Sequence, residues 1–370
     1  MKRRTFLLST AAMALSSTAF ARRFGRQVED NPYLETIGLH LNSVRNEMAM
    51  DAENTLRAIS EVGYKQIELG STMDADETVR IARDLGMKVN SAFFNWKTIV
   101  AADEPDVPTV EAVVEKAAEL ELKYLVFGYI GKGYRESVEK FKKYADLASE
   151  AGVVCSKANI QLCYHNHSFE FRPLEEGVTG MDIFIERFHQ DLIKFELDVF
   201  GAKIAGKKPI KLLQQLEGRV AQVHLSDIKK GFTKQFDESK IPEEAYEEFG
   251  PGVMPFGKII EACIETGVEQ CHIEHTHSPN PLKSIANSYE QIHELAKEKK
   301  KKPDAEKKPG DNNNPFGGND DHDHNDHNDH NHQHAGNVKD FKNLIRSEIK
   351  IHKIQLPQLQ EHPVQRIKIR

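Results

Sequence analysis

Eight short β-rich runs alternate with helical segments between Asn31 and Glu298, and this alternation limits the possible folds more than any other feature. Each run is apolar and often β-branched, as the strands of a buried parallel sheet are. The predicted strands are Ile37–Asn42, Tyr64–Leu69, Lys88–Phe93, Leu122–Gly128, Asn159–His165, Ile193–Asp198, Val220–Leu225 and Glu269–Glu274. Eight such units with intervening helices, within about 270 residues, predict a (β/α)8 TIM barrel over residues 31–298.

The segments between the predicted strands have helical periodicity, with apolar residues recurring every three or four positions. The clearest helices are predicted over Glu53–Glu61, Val110–Leu120, Glu136–Ala151 and Phe256–Glu265. A glycine at the usual C-terminal cap position is predicted to end four helices, at Gly63, Gly86, Gly152 and Gly267. A doubly wound open sheet is the structural alternative, but the glycine fingerprint expected after its first strand is missing.

Both ends of the chain differ in character from the middle. Residues 1–21 run from Lys2-Arg3-Arg4 through an apolar stretch to Ala19-Phe20-Ala21, the pattern of a cleaved signal peptide. The segment Arg3-Arg4-Thr5-Phe6-Leu7 is similar to a twin-arginine signal and predicts a periplasmic or otherwise exported protein, with an ordinary secretory signal as the alternative. Residues 299–370 form a low-complexity tail rich in Lys, Asp, Asn and His, which is predicted to be disordered.

Composition narrows the set of partners. The net charge is -7, and the middle of the chain has no basic stripe with interleaved aromatic residues, so no nucleic-acid partner is expected. After the signal peptide, no apolar run approaches the roughly 18 residues that span a bilayer, so no membrane contact is expected. Four cysteines are too few for a disulfide framework and are expected to be buried apolar side chains, at Cys155, Cys163, Cys263 and Cys271.

Ionisable side chains lie at the ends of the last four predicted strands, where His165, Asp198, His224 and Glu274 occur in that order. The carboxyl ends of barrel strands meet at one mouth, so these side chains should converge there. Imidazoles and carboxylates suit a divalent metal ion such as Mn, Mg, Co or Zn. A single aspartate at a strand end often caps the next helix, but four such strand ends in succession favour a metal site.

The runs around these strand ends resemble the sugar phosphate isomerase/epimerase family of xylose isomerase-like TIM barrels. The resemblance extends over about residues 33–295, and its most specific parts are Tyr164–Phe171, Phe195–Phe200, Arg219–Asp227, Gly250–Val253 and Ile273–Glu274. It implies a divalent metal ion, held by side chains from strands five to eight, that binds neighbouring oxygens of a small carbohydrate substrate. Asp198, His224 and Glu274 match three of the ligand positions.

The fourth ligand position departs from the family pattern. Sugar-epimerase relatives have a glutamate at the end of strand five, whereas this sequence has His165 there, with His167 and Glu170 as rival ligands. The resemblance therefore implies either isomerisation or epimerisation of a sugar or keto-sugar through an enediolate, or elimination by a keto-sugar or keto-inositol dehydratase. Glu274 or Glu170 is expected to act as the base and His167 as the acid.

Two further functions are alternatives. A DNA-repair endonuclease family shares this barrel, but its histidine on strand three is replaced here by Ala92-Phe93. An exported non-catalytic sugar-binding or metal-binding protein is the other alternative. Two other polar residues at strand ends carry less weight: Glu68 is as compatible with a salt bridge as with substrate contact, and His40 is expected to be a rim residue rather than a ligand.

Overall fold

The structure, a computed structural model, describes residues 31–300, with side chains described as far as residue 295. Its strands are β1 (Gly38–His40), β2 (Gln66–Leu69), β3 (Lys88–Phe93), β4 (Tyr124–Phe127), β5 (Gln161–His165), β6 (Ile193–Asp198), β7 (Val220–Leu225), β8 (Asp227–Ile228), β9 (Tyr246–Glu247) and β10 (Gln270–Ile273). Strands β1 to β7 and β10 pair in parallel, and β10 pairs with β1 to close the barrel. The predicted (β/α)8 barrel is confirmed. The short strands β8 and β9 pair with each other in antiparallel fashion outside it.

Helices alternate with the barrel strands along the chain. Several begin where a side-chain oxygen accepts a backbone N–H of the first turn, which explains where they start; these N-caps are Asp51, Thr109, Ser137 and Thr179. The helices are Arg45–Met50, Ala52–Val62, Asp76–Asp84, Lys97–Val100, Val110–Glu119, Val138–Lys157, Gly180–Arg187, Val199–Ile204, Pro209–Gln215, Phe256–Thr266 and Pro281–Lys300.

The prediction that glycine ends four helices is right for three of them, because a positive φ is found at Gly63, Gly86 and Gly267. It is wrong for Gly152, which lies inside the helix Val138–Lys157. A Cβ at Gly152 would come within 3.2 Å of the Leu192 carbonyl oxygen, so the missing side chain permits close packing before β6. The left-handed residue that follows this helix is Asn159, with a φ of 58°.

Two kinds of interior are present. Apolar side chains form the main core, and the four cysteines are free and buried, as expected from the sequence. Within the barrel, Gln222 of β7 donates a hydrogen bond across the lumen to Ser91 of β3 at 3.0 Å. Other polar side chains join them on the strands, and nearly all are fully buried: Gln66, Glu68, Glu196, His224 and His272. A buried polar lumen of this kind must satisfy its own hydrogen bonds and charges.

Parts of the predicted organisation lie outside the described residues. They are the signal peptide of residues 1–21 and the tail from residue 301 onward. Among residues 31–300, no helix combines the length and the apolar character that a membrane span requires.

Candidate active site

A cavity of about 330 Å3 opens at the carboxyl ends of the barrel strands. Four of the side chains proposed from the sequence line it: His165, His167, Asp198 and Glu274. His224 is fully buried behind Glu274, and Glu170 is also fully buried. Chemistry at this end of the barrel is the usual arrangement for the fold.

Three side chains from three strand ends form a candidate metal centre beside the cavity. His224 Nδ1 lies 3.0 Å from Glu274 Oε2, and His40 Nδ1 lies 3.2 Å from Glu274 Oε1. The three residues can each offer one ligand atom, and these atoms lie within 4.8 Å of one another. The Nε2 atom of His40 is buried without a hydrogen-bond partner. Two imidazoles and a carboxylate suit a borderline divalent ion, so the residues fit the metal implied by the sequence.

A second group of ionisable side chains lies deeper in the lumen, where Glu68, Glu196, His224 and His272 are all buried with ligand atoms within 4.8 Å of one another. His224 Nε2 lies 2.5 Å from Glu68 Oε2 and 3.3 Å from Glu196 Oε1. Histidines that bind a metal through one ring nitrogen commonly donate the other N–H to a carboxylate. His224 therefore turns Nδ1 toward the candidate metal centre, while Glu68 and Glu196 hold its Nε2.

Buried charges of opposite sign stabilise one another in this region. Burial alone would lower the pKa of His224, but the Glu196 and Glu68 carboxylates raise it well above its ordinary value. Burial alone would raise the pKa of Glu274, but hydrogen bonds with His224 and His40 hold it well below its usual range. Burial lowers the pKa of His272 to about 4, so this imidazole is neutral at pH 7. In the absence of a metal ion, His224 and Glu274 thus form a buried ion pair.

His165, at the end of β5, belongs to the wall of the cavity. Its Nδ1 lies 3.1 Å from Glu196 Oε2, and its ring centroid lies 4.7 Å from that of His224. Burial would lower the pKa of His165, but the hydrogen bond to Glu196 raises it above the ordinary value. Among the described residues, His165 is not part of either group of converging ligand atoms.

Asp198 both lines the cavity and caps a helix. Its two carboxylate oxygens accept the backbone N–H groups of Phe200 at 3.1 Å and Gly201 at 2.6 Å, at the start of the helix Val199–Ile204. A Cβ at Gly201 would lie 2.8 Å from Asp198 Oδ2, so only glycine allows this close approach. Burial raises the pKa of Asp198 to about 6, against the opposing effect of the nearby His165. The carboxylate is therefore ionised at neutral pH and faces the cavity.

His167 and Glu170 lie on the loop after β5 and differ in their access to the cavity. Removal from water, with the nearby charge of His165, lowers the pKa of His167 to about 3, and its Nδ1 is buried without a partner. The ring is therefore neutral at pH 7 and can form a hydrogen bond with a substrate oxygen. Glu170 accepts the backbone N–H of His167 at 3.0 Å and the Tyr164 hydroxyl at 2.7 Å. Burial raises the pKa of Glu170 to about 7. Its contacts are those of a residue that positions His167.

Four side chains of this region received little or no weight from the sequence: His40, Glu68, Glu196 and His272. Alternate residues of a strand face the same side, which could have identified two of them. Glu196 precedes Asp198 by two positions, and His272 precedes Glu274 by two positions. Each therefore shares the inward face of its strand with a residue that the sequence did single out.

Similar proteins of known structure have the same barrel fold. No protein-family model matches this chain. The inosose dehydratase of Clostridium tetani (strain Massachusetts / E88) is 23% identical over 212 residues, which cover 52% of this chain and 70% of that relative. A sugar phosphate isomerase/epimerase structure from Parabacteroides distasonis superposes with a TM-score of 0.58 and 19% identity, covering 71% of this chain and 94% of that one.

A second similar structure is described as the IOLI protein with a binding zinc atom, with a TM-score of 0.55 and 13% identity. It covers 71% of this chain and 98% of its own length. At these identities the similarity establishes the fold alone, a TIM barrel like that of structures described as a sugar phosphate isomerase/epimerase and a xylose isomerase domain protein.

Proposed function

We propose that this chain is a divalent-metal-dependent isomerase or epimerase that acts on a ketose or keto-sugar through an enediolate. The observation that carries the proposal is the convergence of His40, His224 and Glu274 beside a cavity at the barrel mouth. The metal would be Mn, Mg, Co or Zn, and zinc is the ion named for one structure with the same fold. The remaining proposed ligands are Asp198 and His165, which line the same cavity.

The chain's own residues supply the proton transfers. A bound divalent ion would polarise the substrate carbonyl and stabilise the negative charge that develops when the neighbouring carbon loses its proton. Glu274 is held ionised by His224 and His40 and lines the cavity, so it can accept that proton from a substrate carbon beside it. His167 is neutral with a free Nδ1, so it can form a hydrogen bond with a substrate hydroxyl. Returning the proton to the other carbon gives isomerisation, and returning it to the opposite face gives epimerisation.

A second candidate is elimination by a keto-sugar or keto-inositol dehydratase on the same residues. The relative from Clostridium tetani is named as an inosose dehydratase, and this is the observation that favours the second candidate. Elimination shares the first proton transfer to Glu274, so the two candidates differ only in whether a β-oxygen then leaves. Because His167 is neutral, it must first take up a proton before it can assist that departure.

The test is hydrogen exchange in D2O. Metal-loaded protein is incubated with a panel of ketoses, keto-inositols and 3-keto-glycosides, and deuterium uptake at each carbon is followed by NMR. We expect uptake at one carbon next to the carbonyl, its loss in Glu274→Gln, and no change in Glu61→Gln, an exposed glutamate on the helix Ala52–Val62. The product identifies the reaction. Absence of exchange with every substrate and metal would overturn the proposal, and sugar binding without exchange would support a binding protein.

We also propose that the chain is exported through a twin-arginine route, on the evidence of the Arg3-Arg4 pair in its first residues. Replacing both arginines with lysine should leave the full-length chain in the cytoplasm of a bacterial host, as followed by fractionation. Continued export of the variant would instead identify an ordinary secretory signal.

A further inference from the structure

One wall of the cavity is the segment between β8 and β9, residues 229–245, which we call the strap. Glu238 of the strap accepts hydrogen bonds at Oε1 from the Tyr129 hydroxyl at 2.7 Å and from Arg135 Nη2 at 2.5 Å. Asp237 of the strap is paired with Lys132 at 2.7 Å. These contacts join the strap to the loop that follows β4, so the strap is held across part of the barrel mouth.

Glu238 has one carboxylate oxygen that its protein contacts do not use. Its Oε2 atom is buried without a hydrogen-bond partner, and the residue lines the cavity. Burial would raise the pKa of Glu238, but the hydrogen bond from Arg135 holds it below its ordinary value. Ser168 lines the same cavity and is 1% exposed, and its Oγ also has no partner. Both residues therefore have hydrogen-bonding capacity in the wall of the cavity that their protein contacts do not use.

The cavity offers little to a phosphate group. Among the described residues that line it, Lys132 is the one lysine or arginine, and its ammonium group is engaged by Asp237 and by Ser239 Oγ at 2.5 Å. Three carboxylates line the same space: Asp198, Glu238 and Glu274. A phosphate dianion brought close to an ionised carboxylate would be repelled, because like charges placed together at a binding site weaken binding.

The loop after β7, where barrel enzymes often bind phosphate through backbone N–H groups, is already filled by a carboxylate. The side chain of Asp227 is fully buried and accepts four of these N–H groups. The donors, at distances between 2.8 and 3.2 Å, are Ile228, Gly250, Gly252 and Met254. These amides are therefore not free to bind a phosphate.

We propose that the cavity selects an unphosphorylated keto-sugar or keto-cyclitol, and that the ionised carboxylate of Glu238 determines this specificity by accepting a hydrogen bond from a hydroxyl remote from the carbonyl and by repelling a phosphate at the same position. The inference rests on the proposed keto-sugar chemistry at the same cavity. The carbonyl end would lie toward Glu274, which leaves the remote end facing Glu238 and Ser168.

Equilibrium binding tests the selection separately from turnover. Metal-loaded full-length protein is titrated calorimetrically with ketohexoses and ketopentoses and with their terminal phosphates. We expect the sugar to bind on the order of 100-fold more tightly than its phosphate. In Glu238→Gln this ratio should fall at least tenfold. It should be unchanged in Glu244→Gln, an exposed strap residue, and largely retained in Glu238→Asp, which keeps the charge.

The outcomes separate the two proposals. Sugar binding with the expected preference but without deuterium exchange would remove the isomerase proposal and leave the selectivity intact. A phosphate that binds as tightly as its parent sugar, or no binding of either, would overturn the selectivity. An unchanged ratio in Glu238→Gln, with thermal unfolding like that of the wild type, would refute the role of Glu238. If Glu238→Gln fails to fold, a lost preference in Glu238→Asp would refute it as well.

Discussion

Replacing Glu68 with glutamine should weaken metal binding without removing any of the proposed ligands. Glu68 Oε2 lies 2.5 Å from His224 Nε2, and both side chains are fully buried. The carboxylate accepts the Nε2–H of His224, so that a metal ion could take the place of the proton on Nδ1, which faces Glu274. Glutamine keeps an oxygen of the same reach but loses the negative charge, so the hydrogen bond becomes weaker and the ring is held less firmly.

The size of the effect follows from the role of such a carboxylate. Loss of a partner that orients a metal-binding histidine typically reduces metal affinity by about 10–100-fold, or about 1.4–2.8 kcal/mol. Ser91 Oγ donates to Glu68 Oε1 at 2.6 Å, so Ser91→Ala should produce a smaller loss of the same kind. Glu61→Gln, on the barrel exterior, should leave the affinity unchanged.

The assay is titration of metal-free protein with Zn or Mn, followed by calorimetry, with circular dichroism to confirm that each variant is folded. An affinity in Glu68→Gln equal to that of the wild type would refute the orienting role. A complete loss of metal binding would instead assign Glu68 to direct ligation, together with Glu196 and His272 in the deeper group.

Four further predictions follow from single contacts. Asp198→Asn keeps one oxygen that can cap the helix but turns an NH2 donor toward the second backbone N–H, so it should reduce metal affinity and lower the free energy of unfolding by about 1–3 kcal/mol. Loss of stability with unchanged affinity would show capping alone. A metal ion at 100 times its Kd should raise the free energy of unfolding by about 2.7 kcal/mol, measured as an increased Tm that chelation reverses. Burial raises the pKa of Glu170 from 4.5 to about 7. As the pH rises, the unfolded chain loses this proton before the folded chain does, so the free energy of unfolding falls between pH 4.5 and pH 7. Glu170→Gln should remove that decline. In denaturant titrations, its free energy of unfolding should therefore rise relative to that of the wild type by on the order of 3 kcal/mol between pH 4 and pH 8. An unchanged decline would contradict the raised pKa. Thr179→Ala should lower the free energy of unfolding by about 1 kcal/mol in the same titrations, because Thr179 and Asp182 form a capping box at the start of the helix Gly180–Arg187. An unchanged free energy of unfolding would refute that role.

Local sequence determined the architecture of this chain. Strand and helix periods are properties of neighbouring residues, and eight repeats of the pair leave the closed parallel barrel as the simplest solution. Because barrel strands end at one mouth, the strand-end positions of Asp198, His224 and Glu274 could also be expected to face one cavity. The error at Gly152 has the opposite origin, since the contact with Leu192 that requires glycine there is formed only in the folded barrel.

Tertiary structure decided which of these side chains meet. Glu68 and His224 are 156 positions apart, and His40 and Glu274 are 234 apart, so only the closure and stagger of the barrel bring them together. Local periodicity carries no information about those distances. The same is true of Glu238, which lines the cavity because the strap is joined to Arg135 across the mouth. The sequence alone therefore identifies the mouth of the barrel as the site, and the packing of distant strands determines its charge and its selectivity.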